Sequence, residues 1–562
     1  MTDGQGYYAY LPAVFIYHDL QFSFVDSINQ AYYPEDKRAK FVVPSDDGNV
    51  NKYFVGTAIT QAPFFIVGCF ISKLVGQPID GYSWPFQLMV GIAALFYLAA
   101  GLWFLSRLLN SMSFSEHTIQ LTVIFIVLAT NLLHYSLFEP SMSHVYSFCT
   151  VSAFLFYGRN ALANGQKRAL IGAALMLGLT VLIRPINGLV LLAIPVVAGG
   201  IFGTIQGLEA TIKHKKEWLI SILVFVFLVA FQPIIYLLET GHPFVWSYQE
   251  EGFNFLAPEL QNVLFSYRKG LFVYCPILIL SVLGMIAGLR RKREIFLPLL
   301  GVLTLISWVI ASWWMWYYGG SYGHRAFIEF YPLFAMGLAY LIQHGFGFLK
   351  PALVVLIGIL LVVVQVIQTY QYNTHIIPFD SMNETKYWNV FLRTGKDLRW
   401  YYSGYPGEDS YNGIDSALVL HTMEGQLGWG NEDLLTTEQA FEGEGSYALV
   451  SEKQYGITFR KPVNELSTLP NTVRISGMFK SDSRNTDLSL VCSIEDSTGT
   501  AYYWRSYPLR PQFNGSQWSW ATSLNKCGYP RDSTDRFVIY PMKSDGATVY
   551  IDNLEISFIK AQ

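Results

Sequence analysis

Charge is scarce in this chain. Asp, Glu, Lys and Arg make up 14% of its 562 residues, where soluble domains carry about 25%. That deficit excludes a fully solvated globular protein and points to lipid. The two signs nearly balance, for a net charge of −3, so the chain as a whole is no nucleic-acid binder. Cysteine is rare as well. Cys69, Cys149 and Cys275 lie in apolar stretches and read as small core residues. Cys492 and Cys527 fall in the C-terminal part. A disulfide between them is open if that part is exported, but sequence does not show their separation. The opening residues, MTDGQGYYAYLP, are polar and aromatic and do not read as a secretory signal. No internal repeat relates one half of the chain to the other.

Aromatic residues and long apolar runs fill the place of the missing charge. There are 36 Tyr, 40 Phe and 14 Trp, types that favour membrane interfaces and sugar-binding surfaces. A spanning helix needs about 20 mostly apolar residues. Ten segments qualify: 84–107, 118–135, 144–159, 169–184, 186–203, 218–238, 271–289, 295–317, 326–344 and 350–370. Lys and Arg in short loops mark the cytoplasmic side. Arg159, Lys167 and Arg168 share one loop, Lys213, Lys215 and Lys216 a second, and Arg290 to Arg293 a third. With ten spans all three fall on one side. The opposite side then holds 136–143, 239–270, 317–325 and everything after about 371. Segment 54–76 is apolar enough to span, but Thr57, Thr60, Gln61, Pro63, Ser72 and Lys73 favour an interfacial or re-entrant placement. Residues 1–53 are then external, which calls for a hydrophobic segment ahead of Asp3.

The chain therefore reads as a polytopic α-helical membrane domain over 1–370, with 1–83 as an external loop and juxtamembrane helices. A connector over 371–411 follows, and then an extracytoplasmic all-β sandwich over 412–562. In that last part TVRISGMFK, DLSLVCSIE, AYYWRSYPL, DRFVIYPM and ATVYIDNLEISF read as strands, separated by turn clusters such as EDSTGT and KSDGA. Trp429, Trp504, Trp518 and Trp520 are sugar-stacking candidates, Trp429 and Trp504 foremost. Aromatic residues in a sandwich also fill its core.

Ionisable residues collect at the external helix ends: Asp3, Lys52, Glu139, His144, Arg184, His324, Arg325 and Glu329. Charge at membrane depth is expensive and marks pathways and sites. These types suit glycosyl transfer from a lipid phosphate. A carboxylate orients or deprotonates an acceptor hydroxyl, and fixed positive charge, best from Arg, receives the leaving phosphate. Structural alternatives stand beside each. Asp3 could cap a helix, His144 could cap the helix it starts, and Arg184 could snorkel. Glu329 could pair with Arg325 at the i, i+4 spacing. Glu250 and Glu251 read as solvent-facing.

The order of these motifs resembles the GT-C superfamily of integral membrane glycosyltransferases over about residues 3–345. Asp3 in DGQGYYAYLP matches the acidic residue that opens the family's first external loop. NKYFVGTAITQAPFF is similar to its Lys-Pro-Pro-like segment, with Lys52 in place but no adjacent Pro. Glu139 in FEPSMSH matches a second external acidic residue. GLTVLIRP is close to a Gly-Leu-Thr-x-Leu-x-Arg/Lys-Pro stretch, and GGSYGHRAFIEFYPL looks like bacterial members. The resemblance implies a polyprenyl-phosphate-sugar donor, inversion at the anomeric carbon and an acceptor outside the cytoplasm. It makes Asp3 the acceptor-side base or orienter, assisted by Glu139 and His144. Lys52, Arg184, His324 and Arg325 become the donor-phosphate side. No cofactor follows with certainty, although in some relatives the second acidic residue holds a divalent metal. The C-terminal part, through VYIDNLEI and FEGEGSYAL, resembles jelly-roll carbohydrate-binding modules. Expected partners are the lipid-linked sugar, a glycan, lipid or protein acceptor, and membrane lipids, with residence in a bacterial inner membrane. A flippase for lipid-linked sugars, or a non-catalytic anchored sugar-binding protein, are the alternatives. Convergence of Asp3, Glu139 and Arg325 would disfavour both.

Overall fold

The computed structural model describes residues 2–33, 41–45, 48–249, 251–380, 382–395, 398, 413–424, 429–466, 469–470, 472–483, 486, 488–508, 517–528, 530–543 and 546–561. The chain divides into two compact units. One holds residues 1–369 and 380–387, the other 370–379 and 388–562.

The first unit is helical. It opens with α1 (Thr2–Pro12), a π-helical turn (Ala13–Tyr17) and α2 (Val25–Tyr32). A two-stranded hairpin, β1 (Val42–Ser45) and β2 (Gly48–Asn51), follows. Next come α3 (Gly56–Val75), α4 (Trp84–Ser111), α5 (Glu116–Leu128), α6 (Leu132–Leu137), α7 (His144–Leu162), α8 (Ala169–Ile183), α9 (Ile194–Ala198) and α10 (Ile201–Ile212). The series continues with α11 (Lys215–Val229), α12 (Phe231–Thr240), α13 (Leu260–Phe265), α14 (Leu271–Tyr274), α15 (Ile277–Gly288), α16 (Arg293–Ala311), α17 (Tyr331–His344), α18 (Pro351–Asn373) and α19 (Glu384–Val390). Pro185–Ala193 and Arg325–Phe330 are 3-10 helical.

All ten apolar segments are helical, but they are not ten full-length helices. Six helices among the described residues are long and apolar enough to cross a membrane, or seven if one bent pair counts as a span. The shortfall has local causes. Segment 118–135 is interrupted between α5 and α6, and α8 stops at Ile183 because Pro185 disfavours helical backbone at Arg184. Segment 186–203 turns sharply at Gly199–Gly200, and 271–289 breaks at Cys275–Pro276. Segment 54–76, expected along the interface, is one unbroken helix and among the six.

The helices touch closely where glycines allow it. A Cβ at Gly284 of α15 would lie 1.9 Å from the Gly337 carbonyl of α17, and one at Gly337 would lie 2.2 Å from the Ser281 carbonyl. Small residues let these backbones meet, as in membrane helix pairs. The basic loops share one end of the bundle. Lys167 pairs with Glu217 at 3.3 Å, Gly207 abuts Leu162, and Gly200 abuts Glu294. Arg159 donates there to the carbonyls of Ser111 and Val197. The opposite end carries Asp3, His144, Arg184, Arg325 and Glu329.

The second unit is an antiparallel sandwich. Its strands are β3 (Gly413–His421), β4 (Leu435–Thr436), β5 (Ser446–Leu449), β6 (Phe459–Pro462), β7 (Thr472–Ser481), β8 (Leu488–Glu495), β9 (Ala501–Pro508), β10 (Ser519–Lys526), β11 (Arg536–Lys543) and β12 (Val549–Ala561). One sheet runs β10-β7-β12-β5-β4 with β3 also on β12; the other runs β6-β11-β8-β9. Phe558 of the first sheet meets Phe459 and Phe537 of the second, at 6.1 and 5.5 Å between ring centres. The five expected strands are β7, β8, β9, β11 and β12. Of the others, β4, β5 and β6 are short and β10 (SWATSLNK) shows little apolar alternation, whereas β3 (GIDSALVLH) is a full-length apolar strand outside the five expected ones. Cys492 and Cys527 are buried free thiols, so no disulfide links them. The Cys527 thiol donates to the Pro470 carbonyl.

Candidate functional site

Two ion-paired groups meet at the end of the helical unit away from the basic loops. The first is built on α1. This helix contains Gly4 and Gly6 and has poor intrinsic propensity. Its packing explains them. A Cβ at Gly4 would lie 2.1 Å from Ser141 Oγ, and one at Gly6 would strike the Tyr53 ring. The first turn of α1 is thereby pressed against the 138–143 loop. Asp3, in that turn, pairs through Oδ2 with Arg325 Nη2 at 2.7 Å. Its Oδ1 accepts the Tyr53 hydroxyl at 2.7 Å. Tyr53 is held in turn by Asn51, whose Oδ1 accepts the Tyr53 N–H and whose Nδ2 donates to the Gly6 carbonyl. Burial alone would raise the Asp3 carboxyl. The Arg325 guanidinium and the Tyr53 hydroxyl outweigh it and hold Asp3 below its ordinary value, so Asp3 is a carboxylate.

The second group centres on Glu329, which is completely buried. Its Oε1 accepts Arg184 Nη1 at 2.7 Å and lies 3.1 Å from His144 Nδ1. The i, i+4 pairing of Glu329 with Arg325 is not formed. Residues 325–330 are 3-10 helical, with three residues per turn, so positions four apart point in different directions. Arg325 turns to Asp3 and Glu329 to Arg184. His144 is the first residue of α7 and makes no capping bond there; its Nδ1 is engaged by Glu329. Electrostatic coupling joins the two groups, since Asp3 feels the charge state of His144.

The remaining expected residues take varied places. Glu139 is buried against His134, with Oε1 3.2 Å from Nε2, and lies within electrostatic range of Arg325. Lys52 is not in contact with Asp3 or Arg325. It pairs with Glu251 at 2.6 Å and sits over the Tyr248 ring at 5.1 Å. Glu251 is therefore a partner rather than a solvated charge, and Glu250 lies outside the described residues. His324 lies 3.0 Å from the Trp316 carbonyl through Nε2, which must therefore carry the proton. Burial holds its pKa down to about 3. A neutral imidazole cannot supply fixed positive charge, so His324 is no cation for a phosphate.

Sequence reading missed Tyr53, His134 and Lys269. Tyr53 is one of many tyrosines, and His134 sits inside an apolar run. Lys269 precedes an apolar run and resembles an ordinary snorkelling residue. It is instead 2% exposed, and its ammonium donates to the Ser321 carbonyl, in the loop that leads to Arg325. Burial lowers it to about 7, with Asp380 opposing and Arg325 and Arg268 adding to the effect.

Several buried atoms at this end make no hydrogen bond among the described residues: Glu139 Oε2, His144 Nε2, His324 Nδ1 and Glu329 Oε2. A buried polar atom usually has a partner, so these are positions where a polar ligand would be welcome. No group of three His, Cys, Asp or Glu side chains among the described residues could hold a metal ion. The cluster offers a carboxylate fixed by a phenol and a guanidinium, further guanidinium and ammonium groups, and a His–Glu pair. It can orient a hydroxyl and neutralise an anion.

In the sandwich, the Trp429 ring packs against His421 and Phe459, with ring centres 4.7 and 4.8 Å away. Trp429 is thus a packing residue rather than an open platform. Trp504 on β9 is 48% exposed and donates its indole N–H to the Tyr540 hydroxyl at 2.9 Å. Trp518 packs on Phe441, and the Trp520 side chain lies outside the described residues.

No family model matches the sequence, and no curated protein matches it. Among solved structures, the C-terminal sandwich is similar to carbohydrate-binding modules. The CBM22-1 xylan-binding domain of Paenibacillus barcinonensis Xyn10C is 18% identical, with 27% of this chain and 99% of that chain covered and a TM-score of 0.19. The C-terminal family 22 module of Clostridium thermocellum Xyn10B is 17% identical, with 27% and 97% covered and a TM-score of 0.20. A family 16 carbohydrate-binding module is 18% identical, with 23% and 89% covered and a TM-score of 0.17.

Proposed function

We propose that this chain is an integral membrane glycosyltransferase. It moves a sugar from a polyprenyl-phosphate donor to an acceptor hydroxyl outside the cytoplasm of a bacterial cell, with inversion. The observation that carries this reading is the Asp3–Arg325 ion pair at 2.7 Å, joined electrostatically to His144, Arg184 and Glu329. Segments far apart in sequence supply these groups to one end of the helical unit. The end that collects Arg159, Lys167, Lys213 and Arg290 to Arg293 is the cytoplasmic one by the positive-inside rule, so the cluster faces outward.

In a single displacement the acceptor oxygen attacks the anomeric carbon. The bond from that carbon to the phosphate oxygen breaks, and the phosphate leaves with the electron pair. The Asp3 carboxylate takes or orients the acceptor proton. Arg325, Arg184 and Lys269 supply positive charge for the departing phosphate. A donor phosphate competes with Asp3 for Arg325, which frees the carboxylate when it is needed. Glu139 assists on the acceptor side. With His134 it offers two ligand groups for a divalent metal, and no step is routed through one. In the sandwich, the exposed Trp504 face is read as a contact for the glycan acceptor or product. The flippase alternative is less well served by the sequence, which carries no internal repeat of the kind that inverted-repeat transporters are built from.

The test is turnover of defined polyprenyl-phosphate sugars by the reconstituted full chain. Asp3→Asn and Arg325→Ala should each lower transfer by about 10²-fold or more. Equal transfer by all three proteins would overturn the proposal.

A further inference from the structure

Helix α10 follows a sharp bend. The chain turns through 96° between Pro185–Ala198 and Ile201–Ile212. Gly199 and Gly200 make the turn with φ of 87° and 109°, values that L side chains rarely adopt. A Cβ at Gly200 would also lie 2.9 Å from Glu294 Cβ. The bend is therefore built into the chain by its residues.

Beyond the bend, α10 presents three faces. Gly207 and Thr211 face inward and are buried, and a Cβ at Gly207 would meet the Leu162 carbonyl at 2.6 Å. Ile201, Ile205, Leu208 and Ile212 recur at three- and four-residue spacing on one face, and they are 40 to 66% exposed. Gln206 and Glu209 lie on the third face, on either side of Phe202, and are exposed. The helix ends at Lys213, with Lys215 and Lys216 close behind, all exposed. Helix α11 also exposes apolar side chains at Leu219, Ile222, Leu223, Val226 and Phe227. The other basic loops meet this region through Gly200–Glu294 and Lys167–Glu217.

A helix with one face on protein, one apolar and one polar, flanked by lysines, fits the boundary of a bilayer. We infer that α10 lies in the membrane plane at the surface of the leaflet next to the basic loops. Its isoleucine stripe enters the acyl region, and Lys213, Lys215 and Lys216 engage acidic lipid headgroups. The inference rests on the membrane reading above and adds an anchoring, lipid-selective element that glycosyl transfer does not require.

The test uses the full chain in nanodiscs of phosphatidylcholine, with or without phosphatidylglycerol. Spin labels are placed singly at Ile205→Cys, Gln206→Cys and, on α11, Leu223→Cys, in a Cys69→Ser background that removes the least buried native thiol. Oxygen and a water-soluble nickel chelate compete as relaxants. The 205 label should favour oxygen over nickel several-fold relative to the 206 label, and the 223 label more so. Phosphatidylglycerol should deepen the 205 label, and Lys213→Gln/Lys215→Gln/Lys216→Gln should abolish that shift. A water-exposed 223 label would sink the membrane reading itself. A lipid-embedded 223 label with equivalent 205 and 206 labels would overturn the inference about α10. No effect of phosphatidylglycerol on the unsubstituted lysines would overturn the headgroup assignment.

Discussion

Glu329→Gln keeps the shape of a buried side chain and removes its charge. Glu329 is fully buried, and Arg184, its partner at 2.7 Å, is 19% exposed. With an effective dielectric constant near 20, two charges at that distance attract by about 6 kcal/mol. Desolvation of both offsets most of this, so the pair contributes little net stability as it stands. Removing one partner is different, because it strands the other charge: the cost is about 3–5 kcal/mol. His144 loses its carboxylate in the same step. Denaturant unfolding in detergent should therefore show Glu329→Gln among the more damaging single changes. Arg184→Met in the same chain should restore part of the loss, leaving about 2–3 kcal/mol of coupling in a double-mutant cycle. Glu329→Gln and Arg325→Ala should couple less strongly than the 184–329 pair, because the two side chains take different direct partners. A loss below about 1 kcal/mol, or strong coupling between 325 and 329 with none between 184 and 329, would refute this account of the site.

Three further outcomes are expected. Gly284→Ala should separate α15 from α17, since its Cβ would fall 1.9 Å from the Gly337 carbonyl; unchanged thermal stability would contradict that close approach. Lys269 loses its charge as pH rises through about 7, so donor binding that depends on its ammonium should weaken above that pH, and Lys269→Arg should flatten the dependence because Arg stays protonated. A profile unmoved by Lys269→Arg would exclude a charge role for Lys269. Trp504→Ala should reduce binding of the full chain to immobilised glycans about tenfold with the fold retained, whereas Trp429→Ala should act on stability, because its half-buried ring packs on His421 and Phe459; glycan retention unaffected by Trp504→Ala would remove that surface from consideration.

Local patterns determined much of this protein. The apolar runs dictated where helices form, because burying some twenty apolar residues needs no information from elsewhere in the chain. Alternation and turn residues marked five strands of the sandwich. The short strands β4, β5 and β6, and the polar β10, are held by their neighbours in the sheet and carry no such signature. The tertiary structure alone decided which charges meet. Asp3 joins Arg325 and Arg184 joins Glu329 across most of the helical unit, and nothing in the spacing of those residues encodes it. The 3-10 geometry of Arg325–Phe330 chose the partners by rotating Glu329 away from Arg325. The burial of Lys269 beneath the Ser321 carbonyl is likewise set by packing. Ion pairing depends on distance in space and on solvent exclusion, and a linear sequence specifies neither until the helices have packed.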